Sequence, residues 1–441
     1  MASVQNNQYP RFNLHRRSQP NGSVQKYQPR RYMSNVVPFG QEGNWPRFSP
    51  ANLPHIPSTL NVSRGRKRRV SESTPGWHPD PKKKRPASEG DVSTARALHF
   101  SPFVAPPKPL MKGEERSLKR LSQQILDDYL ATRQAPFRYE QKLHLRDYLL
   151  SIFRTAFPEC SLHICGSTCN GLATNESDID LCLLISEKRP IVQRYEAIKI
   201  LHQLNGMLKR SAYLQKCHVI QAKVPILKFR DTKSQCECDI NINNTVGIKN
   251  THLLQGYCGY DWRVQPLIMI VKKWAKRHGI NDASKGTLSS YSIVMMVLHY
   301  LQDPCKPAVV PSLQIAYPNI FDESRNIYDL SLENPTVRII HNSSNNHGTL
   351  GELLLGFFQY YAEQFNWNDD VISVRQGNKY PKDTSRVWHK KFICIEEPFD
   401  LSCVTRAVHS KDKFEAIKQR IKIAYYTLTV SPFLESIMSG A

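Results

Sequence analysis

The chain has 441 residues, of which 40% are apolar and 22% charged, and it carries a formal net charge of +22. That length allows two or three domains with a sizeable core. No apolar segment of signal-peptide type opens the chain and no apolar run is long enough to cross a bilayer, so a membrane protein is excluded and a soluble intracellular one expected. Eleven cysteines are scattered without a Cys-x-x-Cys pair or matching histidines, which argues against structural zinc and for a reducing compartment.

In chain order, residues 1–112 come first. They hold 19 Lys and Arg against 5 Asp and Glu, and 16 of the 29 prolines. A segment with so few apolar runs cannot offset the entropy of ordering its chain, so 1–112 reads as a disordered, basic, proline-rich arm. Within it, Arg64-Gly65-Arg66-Lys67-Arg68-Arg69 and Pro81-Lys82-Lys83-Lys84-Arg85-Pro86 read as nuclear import signals or loose RNA contacts, or as simply solvated charge. Arg68-Arg69-Val70-Ser71 has the form of a basophilic kinase site.

Apolar residues at helical spacing predict helices over 115–132 and 139–157. They lead into an apolar strand, Leu162-His163-Ile164-Cys165, and a Gly166-Ser167 turn. The run from Asp178 to Ile185 reads as a second strand, whose period of two puts Asp178 and Asp180 on one face and Ile179 and Leu181 on the other. A helix over 191–208 and a strand over 222–229 follow. In a further strand over 237–242, Cys238, Ile240 and Ile242 alternate away from Asp239, so a third carboxylate can join the first two. Three crowded carboxylates repel unless cations neutralise them, and hard oxygen ligands of this kind select Mg²⁺ or Mn²⁺. Two such ions about 3.5–4 Å apart form the clamp used for in-line phosphoryl transfer. Strands alternating with helices over 113–245 predict an α/β catalytic domain, a mixed sheet backed on one face.

From 246 to 441 the pattern is mainly helical. A helix over 266–278 has proline in its first turn and Gly279 just past its end. Lys272 and Lys276 are one turn apart and share a face. Asn250-Thr251 is expected to open the helix after the Asp239 strand, and Ser290-Tyr291 to open the helix over 288–301. Taken singly these are helix caps, a core aromatic and surface lysines. Together they offer the cation, amide, hydroxyl and aromatic groups that suit a nucleoside triphosphate.

The order of apolar strand, Gly-Ser turn and two carboxylate-bearing strands resembles the DNA polymerase beta-like nucleotidyltransferase superfamily. Gly286-Thr287-Leu288-Ser289-Ser290-Tyr291-Ser292, Asp239-Ile240-Asn241-Ile242-Asn243-Asn244 and Ile395-Glu396-Glu397-Pro398-Phe399-Asp400 resemble the terminal nucleotidyltransferases that extend RNA 3′ ends, most closely the cytoplasmic poly(A) polymerases named for defective germline development. The resemblance covers about 115–425 and implies a poly(A)-polymerase-associated element over about 348–401. It implies that Gly166, Ser167 and Ser177 hold phosphate, that Asn250 and Thr251 meet the ribose, and that Lys272, Lys276 and Ser290 meet the triphosphate. Tyr291 would then stack on the base, as any base with a π-face permits. It further implies template-independent addition of AMP from ATP to RNA 3′ ends, with uridylyl transfer as the alternative, and recruitment to transcripts by RNA-binding adaptor proteins. Related uridylyltransferases carry a histidine where this chain has Cys403, and the smaller side chain is expected to favour adenine. A catalytically dead scaffold is disfavoured, because all three mutually repulsive carboxylates are kept.

Overall fold

The computed structural model describes residues 112–188, 192–330, 332–333 and 344–439. The readings made for the arm therefore fall outside the described residues, save Lys112, which opens the first helix. None of the described helices is long and apolar enough to cross a membrane.

Helix α1 (Lys112–Thr132) is followed by α2 (Pro136–Phe153), which starts on a proline whose missing N–H costs nothing in a first turn. Strand β1 (Ser161–Cys165), a one-turn helix α3 (Ser167–Asn170) and β2 (Ile179–Leu184) come next. Then α4 (Arg194–Leu208) leads to β3 (Leu214–Ile220), β4 (Ile226–Asp231) and β5 (Glu237–Ile242). The five strands form one sheet in the order β1-β2-β5-β4-β3. Only β2 and β5 run parallel; the other neighbours are antiparallel. The sheet is thus mixed, as the sequence predicts.

Alternation along the strands decides what faces where. Ile179, Leu181 and Leu183 of β2, Leu227 and Phe229 of β4, and Cys238, Ile240 and Ile242 of β5 share a core with Leu145, Leu149 and Phe153 of α2 and Leu201, Leu204 and Leu208 of α4. The opposite parity, Asp180, Lys228 and Asp239, is left on the other face. Strand β3 has no counterpart in the sequence reading. It lies at the sheet edge with most side chains wholly or partly exposed, and its apolar residues Leu214, Cys217, Val219 and Ile220 do not alternate, so no strand pattern announces it.

After β5, Asn244 caps α5 (Thr245–Tyr260) by accepting from the Gly247 N–H. Asn250 and Thr251 therefore lie in its second turn and do not open the helix. Helices α6 (Val264–Arg277) and α7 (Ser290–Gln302) follow; Ser289, not Ser290, caps α7. Two one-turn helices, α8 (Leu313–Ala316) and α9 (Pro318–Phe321), precede α10 (Leu350–Gln359), where Thr349 and Glu352 form a capping box. A short hairpin, β6 (Asp370–Ser373) with β7 (Asn378–Pro381), and helices α11 (Lys411–Val430) and α12 (Leu434–Met438) complete the described chain.

The sequence groups α1 with the sheet. Its apolar stripe, Leu118, Leu121 and Ile125, is instead buried in the core built by α5, α6, α7, α10 and α11. An amphipathic pattern states that a face is buried, not against what. The approach to α10 is close: the Gly351 N–H donates to Ser122 Oγ at 2.8 Å, and a Cβ on Gly351 would run into the Leu118 carbonyl.

Candidate active site

The cleft begins with a turn that admits no side chain. Gly166 sits at φ 65°, in the left-handed region that glycine enters without strain, and a Cβ there would collide with the Asp180 carboxylate. Its N–H donates to Thr251 Oγ1 at 2.9 Å, and that hydroxyl donates onward to the Gly247 carbonyl at 2.7 Å. The end of β1 is thereby tied to α5. Ser167 follows as the first residue of α3.

On β2 and β5 the parallel register sets Asp180 directly beside Asp239, with Asp178 two residues earlier on the same face. Asp180 is reached by solvent at the cleft floor yet crowded by protein. Loss of hydration, with the charges of Asp239 and Asp178 added to it, pushes its pKa up to about 6. Asp178 is raised as well, first by burial. Among the described residues no three His, Cys, Asp or Glu side chains stand together as a metal site. The carboxylates share a face without forming a closed ligand set. A lysine from the next strand lies among them: Lys228, paired in register with Asp239, brings Nζ to 3.3 Å from Asp239 Oδ1 and 3.7 Å from Glu237 Oε2. Burial opposes its charge, but Asp239, Asp178 and Glu237 together hold its pKa above the ordinary lysine value.

The cleft encloses about 850 Å³ and is walled by Gly166, Ser167, Ser177, Asp178, Asp180, Asn250, Thr251, Lys272, Lys276, Ser290 and Tyr291. Residues from distant parts of the sequence thus meet in one cavity of the size that takes a small-molecule ligand. Lys272 Nζ donates to the Leu172 carbonyl at 3.3 Å, and burial lowers its pKa. The Tyr291 hydroxyl is shared between Asn250 Oδ1 at 2.7 Å and Glu397 Oε1 at 3.3 Å. Glu397 is fixed in turn by the N–H groups of Phe399 and Asp400. Ser290 Oγ donates to Asn281 Oδ1 at 3.2 Å.

Cys403 is elsewhere. Its side chain is buried with Val371, Trp388 and Cys394, and its Sγ lies 3.3 Å from Thr405 Oγ1. The reading of Cys403 as a wall of the nucleotide pocket is corrected: the thiol is small and apolar enough to join a core cluster, and it does so. Residues the sequence reading missed are Lys228, Glu397 and Asn241, whose Oδ1 is buried in the cleft wall without a protein partner. Strand parity pointed at Lys228 and Asn241, since each alternates with the apolar positions of its strand.

Two family models match the chain: the central palm domain of mitochondrial-like poly(A) RNA polymerase over residues 121–259, and the Cid1 family of poly(A) polymerases over 349–403. Poly(A) RNA polymerase GLD2-A of Xenopus laevis is 44% identical over 321 residues, covering 72% of this chain and 62% of that protein. The chain thus spans somewhat under two thirds of the length of that curated relative. A solved GLD-2/RNP-8 complex matches with a TM-score of 0.66 at 39% identity, covering 73% of this chain and 98% of that one. The Cid1 poly(U) polymerase, solved with MgGTP, matches with a TM-score of 0.62 at 30% identity over 73% and 99%. The mixed sheet and its paired carboxylates are those of a nucleotidyltransferase. Within that class the chain belongs to the GLD2-type poly(A) RNA polymerase family.

Proposed function

We propose that this chain adds AMP from ATP to the 3′ end of mRNA without a template, releasing pyrophosphate. The observation that carries this reading is the in-register pair Asp180–Asp239 beside the Gly166-Ser167 turn, with Asp178, Asp180 and the turn opening into the cleft that Lys272, Lys276 and Tyr291 wall. The donor set fits divalent metal: three hard-oxygen carboxylates repel one another on one face, and the ammonium of Lys228 is drawn onto them. Asp178, Asp180 and Asp239 would hold two Mg²⁺ or Mn²⁺ ions, which would supply charge neutralisation and Lewis acidity at the phosphoryl group. Lys228 would then give up its contact with Asp239.

The protein's own groups do the positioning. Ser167 and Ser177 hydroxyls and the Lys276 ammonium grip the triphosphate, and Asn250 meets the ribose. Tyr291, held by Asn250 and Glu397, offers its ring to the base. The RNA 3′-oxygen attacks the α-phosphorus in line, its proton passes to Asp239, and the bond to the β-phosphate oxygen breaks. Placement and charge compensation carry most of the acceleration.

Adenine rather than uracil is supported by the nearer relatives, which are named poly(A) polymerases, against 30% identity to a poly(U) polymerase. Recruitment by adaptor proteins is supported by the structural relatives solved as GLD-2/RNP-8 and GLD-2/GLD-3 complexes. A cytoplasmic site of action, with nuclear entry through 64–69 and 81–86, completes the proposal. Purified chain incubated with labelled oligo(A), Mg²⁺ or Mn²⁺ and each nucleotide in turn tests it. Extension with ATP above the other three is expected; extension with UTP above ATP transfers the assignment to uridylyl transfer.

A further inference from the structure

Lys142 of α2 is 0% exposed. A primary ammonium is among the most strongly hydrated groups a protein carries, and burying one is expensive unless it is well bonded. This one lies beneath the cleft floor. Its Nζ donates to Thr168 Oγ1 of α3 at 3.0 Å and to the carbonyl of Ser177 at 2.9 Å. Both acceptors are neutral oxygens. Burial pulls the Lys142 pKa below the ordinary lysine value, while Asp180 among its neighbours works the other way.

The two acceptors belong to the two parts of the cleft whose spacing matters most. Thr168 follows Ser167 on the Gly-Ser turn, and the Ser177 carbonyl immediately precedes Asp178. From Thr168 to Ser177 the chain makes an excursion of ten residues, tied at its middle by an isolated bridge from Arg133 to Thr174 and by the Gln134 N–H on the Ala173 carbonyl. From the far side, Thr251 holds Gly166. Thr168 Oγ1 also donates to the Asp178 carbonyl at 3.5 Å, and Gln134 and Arg138 reach the carbonyls of Thr168 and Asn175, but of these groups Lys142 is the one that bonds both Thr168 and Ser177.

We propose that Lys142 is a positioning residue that clips the phosphate-holding turn to the carboxylate strand from beneath. The clip sets the distance between Ser167 and Asp178 without touching substrate. Its positive charge is also felt by Asp178 and Asp180, where it offsets part of their repulsion. The inference rests on the function proposed above for its kinetic consequence but not for its structural one.

The test uses the full chain with Lys142→Met, which keeps the stem and loses the ammonium, and Thr168→Val, which removes one acceptor and leaves the lysine. Hydrogen exchange over residues 166–178 and primer extension with ATP are measured on both, beside thermal unfolding. In Lys142→Met, exchange over 166–178 is expected to speed at least about tenfold while β4 and β5 keep their protection. The kcat is expected to fall at least about tenfold with KM for ATP changed less than about threefold, the pattern of lost placement rather than lost binding. Thr168→Val should give a smaller fall in the same pattern, the double variant should lose less than the sum of the two single variants, and Thr168→Ser should stay near wild type. Unchanged exchange over 166–178 in a folded Lys142→Met overturns the clip. So does additive loss in the double variant, or, where Lys142→Met fails to fold, unaltered exchange in Thr168→Val. A wild-type protein that extends no primer refutes the proposed function, and the exchange measurement still decides the clip.

Discussion

The sheet half and the helical half of this molecule contribute opposite chemistry to one cleft, and they do so with different precision. The sheet supplies carboxylates whose separation is set by hydrogen-bonded register: Asp180 sits beside Asp239, and a one-residue slip would turn the apolar residues of the slipped strand off the core. The helices supply cations and an aromatic ring on long side chains. Lys272 and Lys276 reach into the cleft from one face of α6, and Tyr291 depends on Asn250 and Glu397 for its orientation. Exact placement is thus concentrated where charge changes during the reaction, and adaptable contact where a nucleotide is gripped.

The strongest way to break the comparison is at the register pair. Asp180→Ala or Asp239→Ala should cost on the order of 10³-fold or more in primer extension while unfolding temperature stays near that of the wild type. A rate near wild type in either would remove the carboxylates from the chemistry. On the helical side, Lys276→Ala should raise KM for ATP about tenfold, a charged contact of roughly 1.5–3 kcal/mol, and lower kcat less. An equal fall in kcat with KM unchanged would make Lys276 part of the precisely placed half.

The sheet half also predicts a pH signature. Asp180 has its pKa raised to about 6 in the fold, above about 3.9 in an unfolded chain. The native state therefore binds this proton more tightly, so the stability contributed is fully present below about pH 4 and lost as pH rises through about 6. In chelator, Asp180→Asn should be more stable than wild type at pH 7.5 by on the order of 1 kcal/mol after allowance for cleft water, with the gap closing near pH 4.5. Thermal unfolding at the two pH values reads it, and a gap independent of pH refutes the assignment. The smallest effect is expected from Tyr291→Phe. It keeps the ring and loses the tether, worth about 1 kcal/mol, so kcat/KM for ATP should fall about fivefold. A hundredfold loss would mean that the hydroxyl itself meets the substrate.

The carboxylate strands were legible because alternation of Ile179, Leu181, Cys238 and Ile240 with aspartate is a local pattern that the sheet simply obeys. The Gly-Ser turn was legible through its residue types, and its reason appears only in three dimensions: Asp180 occupies the space a Cβ would need. The edge strand β3 was hidden because its apolar residues, Leu214, Cys217, Val219 and Ile220, keep no alternation, and the partner of α1 because amphipathicity does not name what it packs against. Cys403 was misread for a related reason. Its place after Glu397 and Phe399 is near the cleft in sequence, but Glu396 pairs across to Cys403 and turns the thiol into a core cluster. Lys142 gave no signal at all, since a lysine on an amphipathic helix ordinarily lies in water.

The seating of α1 bears on how the chain can be divided. Leu118, Leu121 and Ile125 complete the core of elements that follow more than a hundred residues later, and Gln124 reaches both the side chain of Glu435 and the N–H of Leu434 in α12. A fragment cut at 245 would carry an open apolar groove in place of α1, and the sheet half would keep a helix with a greasy stripe and nowhere to bury it. During synthesis, α1 has no core to complete until α6 and α10 have been made. The two halves are therefore interleaved along the chain and fold as one obligate unit, sealed by its first helix and its last.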